Sequence, residues 1–445
     1  MKESVRNLLS QFSAFGSIFS SLQSKNYRIY FGGQSVSLIG TWMQNIAMSW
    51  LVYRLTGSVF LLGVVAFTSQ VPSFVLSPFA GVLTDKFNRH RIMILTQVLF
   101  MIQALVLAVL VLTNTILVWH IIALSLFFGF ITAFDTPARQ SLVIDLIDNP
   151  ENLGNAIALN SAMFNGARLI GPGIAGITIA IVGEGICFLI NAISFLAVII
   201  ALLKLNIIPK IRENKVDNLR ESLKEGFNYT FGFAPIKVLI ILLGIISLVG
   251  LPYIVLMPAY AKEIMHGGSD TLGFLMSAAG AGALLGALIL AARKTVLGLG
   301  KLISYSTLFF GLSVIVISFS HSHMLSYIVL FVLGYTMITS IASVNTLIQT
   351  LADEDKRGRV MSFYAMALLG MNPIGNLIAG SVASAIGISL TLLSGGIITA
   401  ISALWFEYHK PSLRKYTHPI YVQKGIIKEI AVGIQTANTL HKKIE

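Results

Sequence analysis

The stretch Gly81-Val-Leu-Thr-Asp85-Lys86-Phe-Asn88-Arg89-His90-Arg91 concentrates charge between two long apolar runs, 59–84 and 92–113. Each run is long enough to cross a bilayer as a helix, which takes about 20 apolar residues. A charged connection between two such spans cannot sit in hydrocarbon, so it must form a tight loop at one membrane face. Its lysine and arginines assign that face to the cytoplasm, because loops with an excess of basic residues stay on that side. Asn88 stands where the turn is expected to need a positive φ, which asparagine tolerates better than most residues.

The composition agrees with this reading. Of 445 residues, 55% are hydrophobic and only 11% charged, too apolar for a soluble domain of that length. A net charge of +12 raises the question of nucleic acid or anionic lipid. The long charge-poor runs leave no basic face of the kind nucleic acid needs, so no nucleic-acid partner is expected. The single cysteine, Cys187, lies in an apolar run, which leaves neither a disulfide nor a metal cluster available. No secretory signal is visible at the start of the chain. No phosphate-binding glycine loop occurs, so direct drive by ATP and a bound cofactor are not expected. Nor does a paired acidic motif face a membrane surface, as an intramembrane enzyme would need.

Outward from the charged loop, the apolar runs predict twelve spans in an all-α membrane protein. In the first half they cover 27–53, 59–84, 92–113, 117–144, 153–182 and 186–205. In the second they cover 236–261, 272–292, 302–319, 324–351, 360–386 and 390–408. Before them, Val5, Leu8, Phe12, Phe15, Phe19 and Leu22 recur at helical spacing, predicting an amphipathic helix on the membrane surface over 1–26. The division expected is therefore a six-helix bundle over 27–205, a cytoplasmic linker over 206–235, a second bundle over 236–408 and a cytoplasmic tail over 409–445. A short amphipathic piece is expected at 219–231. The tail keeps a weak helical stripe through Ile426, Ile430 and Ile434.

An even number of spans puts both termini on one side. With that side cytoplasmic, 28 of the 31 lysines and arginines fall on it; Arg54 and Lys262 lie opposite and Arg168 lies inside a span. Trp50, Tyr53 and Trp119 at one set of ends, and Trp405 and Tyr408 at the other, are expected to form interfacial belts. The halves also repeat. Gly154, Gly166, Gly171, Gly176 and Gly183 return at a constant offset of 204 as Gly358, Gly370, Gly375, Gly380 and Gly387. Five glycines in register argue for a duplicated six-helix unit.

The charged loop resembles the connection between helices 2 and 3 of major facilitator superfamily transporters. Gly81, Asp85, Lys86, Arg89 and Arg91 match that pattern, while Asn88 replaces a glycine and His90 a basic residue. The resemblance implies two pseudo-symmetric six-helix bundles that rock about a midplane site. It also implies that Gly81, Asp85 and Arg89 gate the inner side without touching substrate. Span 5 carries Gly166-Ala-Arg168-Leu-Ile-Gly171-Pro172-Gly173-Ile-Ala175-Gly176, which is either a close-packed helix crossing or a partial match to the proton-antiporter signature of that family. On the second reading Gly171 and Pro172 belong to the gate and the coupling ion is the proton. The run Phe134-Asp135-Thr-Pro137-Ala-Arg139-Gln140, and the start of span 1 through Gly32, Gln34, Gly40, Trp42 and Gln44, are similar to the enterobactin-exporter and macrolide-efflux branch.

Polar residues inside spans mark candidate sites. Arg168 lies about 22 Å along span 5 at 1.5 Å per residue, deep in a layer about 30 Å thick. An arginine there must face a polar cavity or a partner. It binds an anionic group of a substrate or forms a salt bridge to a neighbour. Asp135, inside span 4, either exchanges a proton or simply pairs with Arg139 one turn on; burial opposes the charged form of a carboxyl and a nearby arginine favours it. Gln44, Asn45, Asn165 and Asn372 are costly to bury and are candidates for ligand contact, with Trp42 and Tyr364 beside them. Asn372 holds the repeat position of Arg168. Together these features predict export of a small amphiphilic or anionic molecule, a siderophore or a drug, by a monomer in a bacterial inner membrane. The alternatives are a lysophospholipid flippase or small-metabolite importer, and, from another class, a non-transporting membrane sensor or enzyme.

Overall fold

The computed structural model describes residues 20–205, 219–293 and 295–427, and every regular element among them is helical. The first half holds α1 Lys25–Thr56, α2 Val59–Lys86, α3 Arg89–Leu112, α4 Val118–Asp145, α5 Leu153–Val182 and α6 Glu184–Leu203. After a linker helix, Leu219–Gly232, the second half holds α7 Ala234–Ile264, α8 Ser269–Ala291, α9 Leu299–Phe319, α10 His323–Leu351, α11 Arg357–Ile386 and α12 Ile388–Gln423. Among the described residues, eleven helices are long and apolar enough to cross a membrane. α1 is not one of them; it has the length, at 32 residues, but Gln34, Thr41, Gln44 and Asn45 dilute its apolar content.

Local chemistry explains where the helices turn. Gly57 closes α1 in the left-handed conformation at φ 58°, and Ser58 caps α2 by accepting from the Leu61 N–H at 3.2 Å. Gly183 and Gly387, repeat partners, adopt nearly the same backbone, φ/ψ 84°/172° and 88°/164°, at the α5–α6 and α11–α12 joints. Asn88 departs from expectation. It keeps φ at −65° and caps α3, its side chain accepting from the N–H groups of His90 and Arg91. Capping satisfies two orphan donors without a left-handed turn, so positive φ is not needed there.

Within each half the packing follows one plan: α2 lies on α4 and α3 on α6 and α4, as α8 lies on α10 and α9 on α12 and α10. Large apolar side chains such as Ile181, Phe79 and Phe319 stay exposed on the outer surface, as lipid contact requires. Trp119 and Tyr408 are exposed at helix ends, but Trp50 and Tyr53 are buried among protein side chains and do not belong to a belt.

The linker helix docks under the second half. Glu225 pairs with Arg359 at 2.5 Å, Phe231 packs edge-on to Phe363, and the Asp353 N–H donates to the Tyr229 hydroxyl. Helix α12 runs well past the expected end at Tyr408. Leu413 is buried, and Tyr416 stacks edge-on to Phe233 at 6.4 Å, so tertiary contact carries the helix through Pro411 and Pro419. The expected amphipathic helix lies outside the described residues, except that Ser20–Gln23 form a short turn. Residues 206–218 of the linker and the stripe residues Ile430 and Ile434 also lie outside them.

Candidate functional site

Two matched helix crossings join the halves. On one, a Cβ at Gly176 of α5 would stand 2.7 Å from the Ser269 carbonyl oxygen and 2.9 Å from the Gly273 Cα of α8. On the other, a Cβ at Gly380 of α11 would stand 2.9 Å from the Val59 carbonyl oxygen and 3.0 Å from the Gly63 Cα of α2. Gly176 and Gly380 are repeat partners, so the duplication read in the sequence reappears as a pair of equivalent contacts. Small residues allow such approach, and van der Waals contact with backbone rewards it where no hydrophobic drive separates helix from lipid.

Both crossings lie towards the face opposite the basic loops. Near that face the Tyr53 hydroxyl of α1 donates to Glu263 of α7 in a short hydrogen bond. Deeper in, Ser269 donates to the Gly176 carbonyl at 3.2 Å and Ser277 to the Leu169 carbonyl at 2.8 Å. At mid-depth Gly280 meets the Arg168 carbonyl, and Gly370 meets the Phe74 ring. Among the described residues, no hydrogen bond, ion pair or glycine-mediated approach joins the halves between that level and the basic face. Among the described residues, the polar and glycine contacts between the halves therefore run from mid-depth to the face opposite the basic loops.

Arg168 sits at the mid-depth end of these contacts. It is half-buried, its guanidinium lies 5.7 Å from the centre of the Trp42 ring, and Nη2 is 4.0 Å from Met337 Sδ across the seam. The Tyr253 hydroxyl of α7 lies beside it, within reach of the guanidinium. Among the described residues Arg168 has no carboxylate partner, so of the two expectations for it the salt bridge is not found. Gly171 explains the placing of Trp42: a Cβ there would stand 2.5 Å from the Trp42 Cβ, so only glycine lets α1 lie this close to α5. Phe164 packs edge-on to Trp42 at 5.8 Å and steadies the indole. Asn45 is exposed one turn beyond Trp42, on the same face.

The other polar candidates are placed elsewhere or committed to other partners. Gln44 is buried inside the first half, donating to Gln103 at 2.9 Å and accepting from Asn191 at 2.8 Å. Asn165 is buried and donates to the Ser161 carbonyl of its own helix. Asn372 accepts from Asn376 on α11, and Tyr364 is buried in the second half. Among the described residues none of these four is hydrogen-bonded to Arg168 or Trp42, and the amide of Gln44 is taken up by side chains of its own bundle.

Asp135 is fully buried. Its Oδ2 pairs with Arg139, and its Oδ1 accepts from Thr96 at 2.9 Å and Gln97 at 2.6 Å. It makes no contact with Arg168. At the basic face Arg89 pairs with Asp145 at 3.4 Å, tying α3 to α4, and the His90 ring reaches the Leu202 carbonyl of α6 at 2.7 Å. Gly81 has open space around it, and Pro172 is buried with its carbonyl against Gly273. The side chains of Asp85 and Lys86 lie outside the described residues.

Several positions of the seam and of the Asp135 cluster escape the sequence reading. Gly63 and Gly273 had a signal in the small residues of their spans, and Gln97 and Gln103 in being the two amides of an apolar α3. Met337, Tyr253 and Glu263 offered none, because only the fold brings them to the seam.

A family model described as a transmembrane secretion effector matches residues 16–418. The staphyloferrin A transporter of Staphylococcus aureus is 25% identical over 389 residues, which cover 87% of this chain and 97% of that protein. Macrolide efflux protein A of Streptococcus pyogenes is 24% identical over 396 residues, 86% and 96% of the two chains. The multidrug efflux pump Tap of Mycolicibacterium fortuitum is 24% identical over 358 residues, 78% and 87%. Among solved structures, the nucleoside transporter NupG aligns with a TM-score of 0.68 at 13% identity, covering 87% of this chain and 98% of that one. A bacterial homologue of the human lysosomal transporter Spinster gives 0.66 at 13% identity, with 88% and 98% covered.

Proposed function

Because the chain belongs to the transmembrane secretion effector family and is a transporter of the major facilitator superfamily, not an enzyme, we propose that it exports a small amphiphilic or anionic molecule by proton antiport. The substrate is of the siderophore or drug class, the classes that the named relatives handle. Export works by alternating access: the halves rock on the crossings at Gly176 and Gly380, exposing the Arg168 site to each side in turn. The basic face is cytoplasmic in a bacterial inner membrane, both termini lie there, and α1 completes twelve spans as a polar-lined helix shielded by its neighbours. The state described is then closed to the outside and open to the cell interior, ready to load. The transporter works as a monomer, since each chain carries both halves of its site.

One observation carries this reading. Arg168 is a half-buried cation at mid-depth, at the seam between the halves, beside an aromatic ring and without a carboxylate to neutralise it. A bare charge at that depth is costly, about 2.5–3.5 kcal/mol on insertion scales, so it is a place for a ligand to supply the opposite charge. Trp42, Asn45 and Phe164 offer ring faces and an amide next to it. Asp135 and Arg139 form the coupling pair: protonation of Asp135 breaks the ion pair and frees Arg139 to shift. Arg89, with Asp85, holds the inner gate.

The test is transport in proteoliposomes under an imposed pH gradient, with anionic and neutral substrates of similar size. Arg168→Ala is expected to abolish transport of the anionic substrate and to reduce the neutral one less. Equal transport of the anion by wild type and variant removes Arg168 from the site. Flux that ignores the direction of the gradient removes antiport.

A further inference from the structure

Among the described residues, three buried polar atoms of α1 and α4 have no hydrogen-bond partner: the Tyr30 hydroxyl, Oε1 of Gln34 and Nε of Arg139. Tyr30 is fully buried and Gln34 is 1% exposed. The Tyr30 hydroxyl lies within electrostatic reach of both Arg139 and Asp135, and Gln34 follows Tyr30 one turn along the same face of α1. Asp135 itself is saturated by Thr96, Gln97 and Arg139. Each orphan costs about 1–3 kcal/mol if it stays unpaired, and folded proteins satisfy such groups with protein or with ordered water. A hydroxyl that gives and takes, a carbonyl that takes and an N–H that gives are complementary to water, which needs two to four polar partners to be held in a protein interior.

We infer that this chamber, between α1 and α4 in the first half and apart from the substrate seam, binds water, and that the bound water carries protons between Asp135 and the basic face through Tyr30. This rests on the coupling reading above. A hydronium ion arriving from the basic face passes its excess proton along the water held by Tyr30 and Gln34 to Asp135 Oδ2, leaving water behind and a neutral carboxyl. Arg139 then keeps its charge without a counter-charge and turns its guanidinium to the water. Deprotonation reverses each step. The groups that face Asp135 are Arg139 on its own helix, Tyr30 with Tyr27 beyond it on α1, and Thr96 and Gln97 on α3. Helix α2, which also packs on α4, carries titratable side chains only at Asp85 and Lys86. Tyr30 acts as a positioning residue that holds the water, and it keeps its own proton overall.

Hydroxyl-radical footprinting of the wild-type protein in detergent, with radicals generated from bound water by X-rays, reads hydration without reference to transport. Tyr260 is the dry control: it is equally buried, but its hydroxyl is bonded to Ser320 and Ser326. Tyr30 is expected to be modified about tenfold faster than Tyr260, since buried side chains react where water stands beside them. Equal rates would overturn the hydrated chamber. Tyr30→Phe keeps the ring and removes the hydroxyl. It is expected to slow gradient-driven transport about tenfold and displace its pH profile while leaving substrate Kd unchanged, as general proton-transfer losses do. An unchanged pH profile overturns the relay. Should Asp135→Asn keep full gradient dependence, the coupling reading and the relay both fall, while the footprint of Tyr30 still decides whether water is there.

Discussion

Gly176 of α5 and Gly273 of α8 meet backbone to backbone: a Cβ on Gly273 would stand 2.6 Å from the Pro172 carbonyl oxygen and 2.8 Å from the Gly176 Cα. Neither obstacle is the end of a flexible side chain, so a larger residue cannot be absorbed locally. Gly176→Val is expected to force the closed side of the seam apart at a cost of about 1–3 kcal/mol, the usual range for overpacking. Gly380→Val should do the same at the second crossing. Gly166, with nothing within reach of its Cβ, is the control on the same helix, and Gly166→Val should transport normally. Distances between spin labels on the two halves at the closed face measure the effect.

The Tyr53–Glu263 hydrogen bond links α1 to α7 near that same face. Glu263→Gln keeps the shape and the acceptor but removes the charge, which weakens the bond by about 1–1.5 kcal/mol, the difference between a charged and a neutral hydrogen bond. The population open on that side should rise about tenfold, since 1.4 kcal/mol is a factor of ten. A cysteine introduced at His266, beside the joint, should react correspondingly faster with a membrane-impermeant thiol reagent.

Stability should separate the ion pair at Asp135 from its role in coupling. Asp135→Asn leaves Arg139, three-quarters buried, without its counter-charge, and breaking such a pair is expected to cost about 2–4 kcal/mol. Replacing both, as Asp135→Asn with Arg139→Gln, should recover most of the thermal stability and none of the gradient-driven transport. Thermal unfolding in detergent alongside flux in vesicles tests both halves of that statement.

Trp42 offers a direct optical readout. An anion on Arg168 comes next to the indole, so binding should change Trp42 emission, and Trp42→Phe should remove most of the signal. Loss of the stronger cation–π partner is expected to weaken binding by a few fold, in line with about 0.5–2 kcal/mol for such contacts.

Much of this architecture was legible in the chain because a bilayer demands long apolar runs and places charge at their ends. The loop at Asn88, the joints at Gly183 and Gly387 and the register of the duplication all came from local residue types. The partners did not. Hydropathy cannot distinguish a helix face that meets lipid from one that meets another helix, since both are apolar. Hence Gln44 could not be assigned to Gln103 and Asn191, which are 59 and 147 residues away. Arg168 was visible by its depth, but Met337 and Tyr253 beside it come from the other half of the chain. The end of α12 was missed because the apolar run gives way to a polar tail after Tyr408, while Leu413 and Tyr416 hold the helix from the side beyond it.

The two glycine crossings have a mechanical consequence. A gate hung on two pins swings about the line through them and about no other. On the proposed rocking cycle, helices α3, α6, α9 and α12, which make no extensive contact across the midline among the described residues, sweep the widest arcs through the surrounding lipid. The thickness and stiffness of the membrane then act directly on the speed of each stroke, and a bilayer that resists those outer helices slows the cycle without touching the cargo.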